Sequence, residues 1–167
     1  SCNLPEKVVS WFESRGIPAG ILEQERIGYD GKAIKFPYFY NSVCVNIKSR
    51  TGDKRFWQEK DGLKCLYRLD KIRTSEKKVL VITEGEIDAL SVVAAGLEST
   101  SIPDGAPSSN SKNFNSKFDF LKNANGVFDK FEKIVLAGDN DDPGKRAIEE
   151  LGRRIGYERC YVVRYPD

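Results

Sequence analysis

Two short apolar runs, Val79–Ile82 and Lys133–Ala137, are β-branched, unbroken and no longer than a strand, the pattern of strands buried on both faces. Each stops on acids: Glu84, Glu86 and Asp88 follow the first, and Asp139, Asp141 and Asp142 the second. The period then changes to that of a helix. Ile87, Leu90, Ser91 and Ala94 lead up to Gly96, and Ala147, Ile148, Leu151 and Ile155 follow Pro143 in a first turn. Ser99–Ile102 and Arg159–Arg164 read as further strands. Phe114, Phe118 and Leu121 suggest a helix, as does the segment Val127–Phe131. A rigid turn, Pro103–Pro107, and a polar loop over 108–115 lie between. Strands alternating with helices predict an α/β fold, a mostly parallel sheet flanked by helices over residues 77–167.

The first half has a different texture. Val8, Val9, Trp11 and Phe12, between Asn3 and Gly16, predict a short amphipathic helix capped by Asn3 with its aromatic face in the core. Residues 17–33 read as a connector with one short strand. Ile34–Tyr40, Ser42–Lys48 and Lys54–Gln58, the last two joined by a turn at Thr51-Gly52-Asp53, predict a meander. In its second strand Val43, Val45 and Ile47 fall on one face, which sends Lys48 and Arg50 to the other. Residues 60–78 hold little apolar periodicity beyond Leu63, Leu66 and Leu69. They read as the join, with a boundary near Glu76, so a smaller basic β-rich (α+β) subdomain over 1–76 precedes the parallel sheet.

Composition narrows the chemistry. A chain of 167 residues can bury a real core. No apolar run approaches the roughly 20 residues of a bilayer span, and no charged-then-apolar leader opens the chain, so neither membrane attachment nor secretion is expected. The absence of Met suggests a piece of a longer protein. With no His, and with Cys2, Cys44, Cys65 and Cys160 scattered outside any CxxC pair, His-based catalysis and a zinc site are excluded. Cys44 and Cys160, inside apolar runs, read as buried thiols in a reducing compartment. The net charge of +2 divides into +6 over residues 1–78 and −4 over 79–167. A basic half joined to an acidic half suggests a polyanion track beside a metal site.

Neighbouring parallel strands that both end in acids bring those acids together at the carboxyl edge of the sheet, where open α/β folds place their chemistry. Glu84, Asp139 and Asp141 form an oxygen-only donor set suited to Mg²⁺ or Mn²⁺, and such ions take substrate phosphates as remaining ligands. That chemistry is phosphoryl or nucleotidyl transfer. Either cluster alone has a structural explanation, as a helix cap at Asp141 or Asp142 or as acids favouring a helix start at Glu84 to Glu86; their coincidence favours the site. The hairpin cations Lys48, Arg50, Lys54 and Arg55, followed by Phe56 and Trp57, offer charge for phosphates and aromatic faces for bases. Gly138–Lys145 is no P-loop, because five residues separate its glycines and Arg146 stands where Ser or Thr is needed.

EGEID (Glu84–Asp88) and DNDDPG (Asp139–Gly144), each behind a buried strand, resemble the two acidic motifs of the Toprim domain shared by primases, topoisomerases and some nucleases. The basic hairpin, SIPDGAP (Ser101–Pro107) and the segment Glu150–Cys160 are similar to the primase half of phage-type primase–helicases and their Twinkle-like relatives. The resemblance implies RNA primer synthesis from ribonucleoside triphosphates on single-stranded DNA, in a phage, bacterial or organellar compartment, beside a helicase in the same chain or a separate one. It makes Glu84 the first-strand acid of catalysis or metal binding, Asp88 the catalytic acid closing the first motif, and Asp139 and Asp141 the metal pair. Lys48, Arg50 and Lys54 match residues that hold nucleotide or template, and Glu86 receives no chemistry. The zinc module and helicase motor of such proteins are not in this stretch. Alternatives are a single-stranded-DNA-binding module with a vestigial site and a Toprim nuclease.

Overall fold

The protein is described by a computed structural model over residues 3–108 and 110–166. Two four-stranded sheets lie side by side. The first is an antiparallel meander, β1 (Gly28–Tyr29), β2 (Ala33–Tyr40), β3 (Val43–Thr51) and β4 (Phe56–Gln58), in that spatial order. Before it come helices α1 (Glu6–Glu13) and α2 (Ala19–Gln24). The second sheet is wholly parallel, in the order β6 (Glu98–Ser101), β5 (Val79–Thr83), β7 (Lys133–Ala137), β8 (Cys160–Val162). Helices α3 (Leu69–Thr74), α4 (Glu86–Ala94) and α5 (Asp142–Ile155) complete it, so the α/β expectation holds.

Register explains the orientation of the smaller sheet. Ile34, Phe36 and Tyr38 of β2 are buried, and they stand opposite Arg50, Lys48 and Asn46 of β3. Cross-strand partners share a face, so the polar set of β3 turns inward with them. Val43 is left 61% exposed, and Lys48 and Arg50 are each only 7% exposed. The alternation of β3 divides its residues as the sequence suggests, but the cationic face is the inner one. Arg50 is accommodated between the rings of Trp11 and Phe56.

Several expectations need correction. The cap of α1 is Pro5, with no side-chain hydrogen bond, in place of Asn3. Residues 17–33 hold the helix α2 as well as a strand; its neighbourhood buries Ile17, Leu22 and Ile27, a spacing of five that helical periodicity does not pick up. Val127–Phe131 is a string of turns closed by i→i+3 bonds, not a helix, although Val127 and Phe131 are buried. The segment around Phe118 is a 3₁₀ helix, Asn115–Ala124. β7 alternates between buried and half-buried residues where burial on both faces was expected. Cys44 is exposed, because the start of β3 runs past the packed part of the sheet; Cys160 is half-buried, and Cys65 is the buried thiol, pushed up to about 12 by burial. Cys2 lies outside the described residues. No helix among the described residues is long and apolar enough to cross a membrane.

A single core cluster extends from Val8 to Leu151 and takes in both sheets. The segment read as a join contributes Cys65, Leu66, Tyr67, Leu69 and Ile72, all fully or almost fully buried, and α3 packs against both β2 and β6.

Candidate functional site

The acids meet because of strand register. Thr83 stands opposite Ala137 in the β5–β7 pair, so both chains leave the sheet at the same level and the next residues, Glu84 and Gly138, are neighbours. Glu84 Oε1 accepts the backbone N–H of Asp139 at 2.6 Å. Two glycines leave room for this approach. A Cβ on Gly144 would lie 2.5 Å from Glu84 Oε1 and 2.9 Å from Asp141 Oδ1, and one on Gly138 would lie 3.2 Å from Glu84 Oε1. Asp141 is the N-cap of α5 and accepts the Gly144 N–H at 2.7 Å.

Burial raises the proton affinity of the Glu84 carboxyl above the ordinary range, and the charges of Asp139 and Asp141 add to it, against hydrogen bonds from the Asp139 and Ala106 backbones. Asp88, in the first turn of α4, is likewise raised by burial and then by Asp139, with Arg15 opposing. Negative charge is thus concentrated at one edge of the sheet.

These acids form one wall of a cleft of about 670 Å³ that opens between the two sheets. Glu84, Gly85, Glu86, Asp88 and Asp139 face Lys48, Phe56, Trp57, Gln58, Lys60 and Lys64, and the turn residues Asp104 and Gly105 close one side. Phe56 and Trp57 are 53% and 41% exposed. Of the predicted residues, Glu84, Asp88, Asp139 and Lys48 therefore come together, and Asp141 lies next to them beside Gly144. Arg50, Lys54 and Arg55 are not part of the cleft lining. Arg55 pairs with Asp53 at 2.9 Å on the exposed hairpin tip, and Lys54 holds a left-handed φ of +63° there.

Sequence reasoning missed Glu86, Tyr38, Gln58 and Lys64. Glu86 is buried, accepts the Tyr38 phenol and pairs with Lys48 at 2.9 Å. Gln58 and Lys64 hold Asp104 at 2.8 and 2.7 Å. The one available signal was an acid, Glu86, left over between two assigned ones.

The donor set suits a hard divalent ion in a particular way. Among the described residues no three Asp, Glu, Cys or His side chains converge closely enough to cage an ion by themselves. Mg²⁺ does not need such a cage, since it is commonly held by one or two carboxylates, waters and substrate phosphates. Glu84 and Asp141 oxygens already converge on the Gly144 backbone, and the half-buried Glu84 carboxyl, raised first by burial and then by the Asp139 and Asp141 charges, is a group that a bound cation would stabilise in its ionised form.

A parallel sheet whose two central strands end in acids facing a basic sheet defines a Toprim-type lobe. The chain belongs to the Toprim-like family, whose model matches residues 81–167. It is 39% identical to the chloroplastic/mitochondrial Twinkle homolog protein of Arabidopsis thaliana, over 98% of this chain and 24% of that protein. It is 37% identical to the Primase homolog protein of Arabidopsis thaliana, over 98% of this chain and 51% of that one. The chain thus spans about half, or less, of the length of these curated relatives. The crystal structure of the primase fragment of the bacteriophage T7 primase-helicase protein superposes with a TM-score of 0.73 and 25% identity, covering 92% of this chain and 64% of that fragment.

Proposed function

We propose that this chain is the primase core of a Twinkle-like DNA primase–helicase, which joins ribonucleoside triphosphates into RNA primers on a single-stranded DNA template. In this reading residues 1–76 form the lobe that cradles template and nucleotide, and residues 77–167 form the Toprim lobe. The observation that carries it is the placement of Glu84, Asp88 and Asp139 in one cleft with exposed Phe56 and Trp57 and the cations Lys60 and Lys64.

Glu84, Asp139 and Asp141 would hold Mg²⁺ or Mn²⁺, which supplies neutralisation of phosphate charge and a lowered pKa for a bound hydroxyl. The protein's own contribution is positional and electrostatic. The Asp139 N–H fixes Glu84 at the carboxyl edge of the sheet, beside the acids of the second motif. Asp88 reinforces the local charge. Phe56 and Trp57 provide stacking faces for template bases, and Lys60 and Lys64 neutralise backbone phosphates. A helicase, in the same chain or as a separate protein, would deliver the single strand.

The test uses the full chain with single-stranded DNA, labelled ribonucleotides and Mg²⁺. Asp139→Asn and Asp141→Asn should each lower dinucleotide synthesis by about a hundredfold or more. Mg²⁺ should raise the melting temperature of the wild type, and this rise should shrink in both variants. Wild-type synthesis by either variant would overturn the reading. The exposed aromatic pair also favours a second reading, a single-strand-binding module without catalysis. Salt-sensitive DNA binding with no metal-dependent product would select it.

A further inference from the structure

Lys48 keeps a charge where charge is costly. It is 7% exposed, on the inward face of β3, and its Nζ lies 2.9 Å from Glu86 Oε1 and 2.9 Å from the Pro103 carbonyl oxygen. Glu86, 3% exposed, opens α4 and also accepts the Tyr38 hydroxyl. Burial, followed by the nearby Glu86 charge, holds the Tyr38 phenol well above its ordinary value, so it remains a donor. Gln58 of β4 reaches the same Pro103 carbonyl at 3.0 Å. Three adjacent strands of the smaller sheet therefore grip two loops of the larger one. One carries Glu84 and the start of α4; the other is the Pro103–Ala106 turn.

We propose that Lys48 and Glu86 are positioning residues, a buried ion pair that locks the Pro103–Ala106 turn and the start of α4 so that Glu84 faces the cleft, and that Lys48 touches neither template nor nucleotide phosphate. The inference rests on the primase reading above but departs from the phosphate-binding role that the family resemblance gives Lys48. Its physical ground is the cost of the alternative. To reach a phosphate, Nζ must leave both partners, and Glu86 then remains as a buried carboxylate without its cation, a larger penalty than a solvent-exposed phosphate contact returns. Lys60, exposed on the same cleft wall, can meet a phosphate without that penalty. The turn bears on the site because its Asp104 and Gly105 line the same cleft as Glu84.

A double-mutant cycle in the full chain tests this, with Lys48→Met, Glu86→Gln and the two combined. Lys48→Met should lower the melting temperature by about 10 °C, since it strands a buried charge. The double variant should recover most of that loss. Lys48→Met should lower the kcat of primer synthesis by up to about a hundredfold while leaving the KM for nucleotides within about twofold, the mark of a misplaced site. The salt dependence of binding to a single-stranded oligonucleotide should be unchanged. A slope reduced by about 0.7 marks a lost phosphate contact and overturns the proposal, as do losses in the two single variants that simply add. If Lys48→Met does not fold, the double variant decides: folded with the full salt slope it supports the pair, and unfolded or with a reduced slope it rejects it. If the wild type makes no primer, the primase reading fails, while the stability cycle and the salt slope still judge the ion pair.

Discussion

Glu84, Glu86 and Asp88 fall within one turn of chain, yet each meets a different environment. Glu86 is buried and has a cation; Glu84 is half-buried and Asp88 exposed, both beside other acids and both with raised proton affinities. This has a definite consequence for stability. A carboxyl whose folded-state pKa lies above its unfolded one favours folding below the ordinary carboxylate value, and that contribution is lost as pH rises through the elevated value. Glu84→Gln keeps an oxygen for the Asp139 N–H and removes the titration. Its melting temperature relative to wild type should therefore climb as pH rises from about 4.3 toward neutrality, and Mg²⁺ should narrow the gap by stabilising only the wild type. Thermal unfolding across that range, with and without Mg²⁺, checks this; a gap independent of pH would remove Glu84 from the strained site. Glu84 and Asp139 were legible in the sequence because each directly follows an apolar run. Glu86 was not, because its partners Tyr38 and Lys48 lie on strands in the other half of the chain and nothing in local spacing points to them.

At the scale of elements, the central strands and the helices after them could be read because continuous apolar runs and helical periodicity leave few alternatives. The orientation of β3 could not. Alternation separates Val43, Val45 and Ile47 from Asn46, Lys48 and Arg50, but which set turns inward is decided by pairing with Ile34, Phe36 and Tyr38 of β2. The short helix α2 escaped because it buries one face through widely spaced residues, and the Val127–Phe131 turns mimicked a helix because their buried residues are four apart. α5 shows how one residue serves two levels. Asp141 caps it through the Gly144 N–H and also stands beside Glu84. Asp141→Ala should lose the cap, about 1 kcal/mol, or about 2–4 °C in melting temperature for a chain of this size. Asp141→Asn should keep nearly all of that stability while losing the response to Mg²⁺. If the two variants melt alike, the cap contributes nothing and the conformation of Asp141 has another cause.

The whole molecule behaves as two sheets on one core, and Arg68 is the clearest link between them. Its side chain is 6% exposed, with Nε 3.0 Å from Glu25 Oε1 and Nη1 2.6 Å from Glu98 Oε1, so it ties the segment just after α2 to β6. Burial opposes its charge, but the Glu25 and Glu98 carboxylates outweigh that and hold it above its ordinary value. It also sits at a left-handed φ of +62°, a conformation that non-glycine residues adopt only when their surroundings fix it. Arg68→Ala leaves two carboxylates in the interior without their cation. The expected cost is about 3–5 kcal/mol, a fall of about 10 °C or more in melting temperature. Both tryptophans, Trp11 and Trp57, belong to the smaller lobe, so tryptophan fluorescence follows that lobe while far-UV circular dichroism follows the whole chain. A shared core predicts coincident transitions for the wild type by the two probes. In Arg68→Ala the fluorescence transition should move to lower temperature ahead of the circular dichroism, because the tie to β6 is lost while the parallel sheet keeps its own packing. Coincident curves in the variant, shifted by less than about 2 °C, would mean that the core alone joins the lobes and that Arg68 is dispensable to their union.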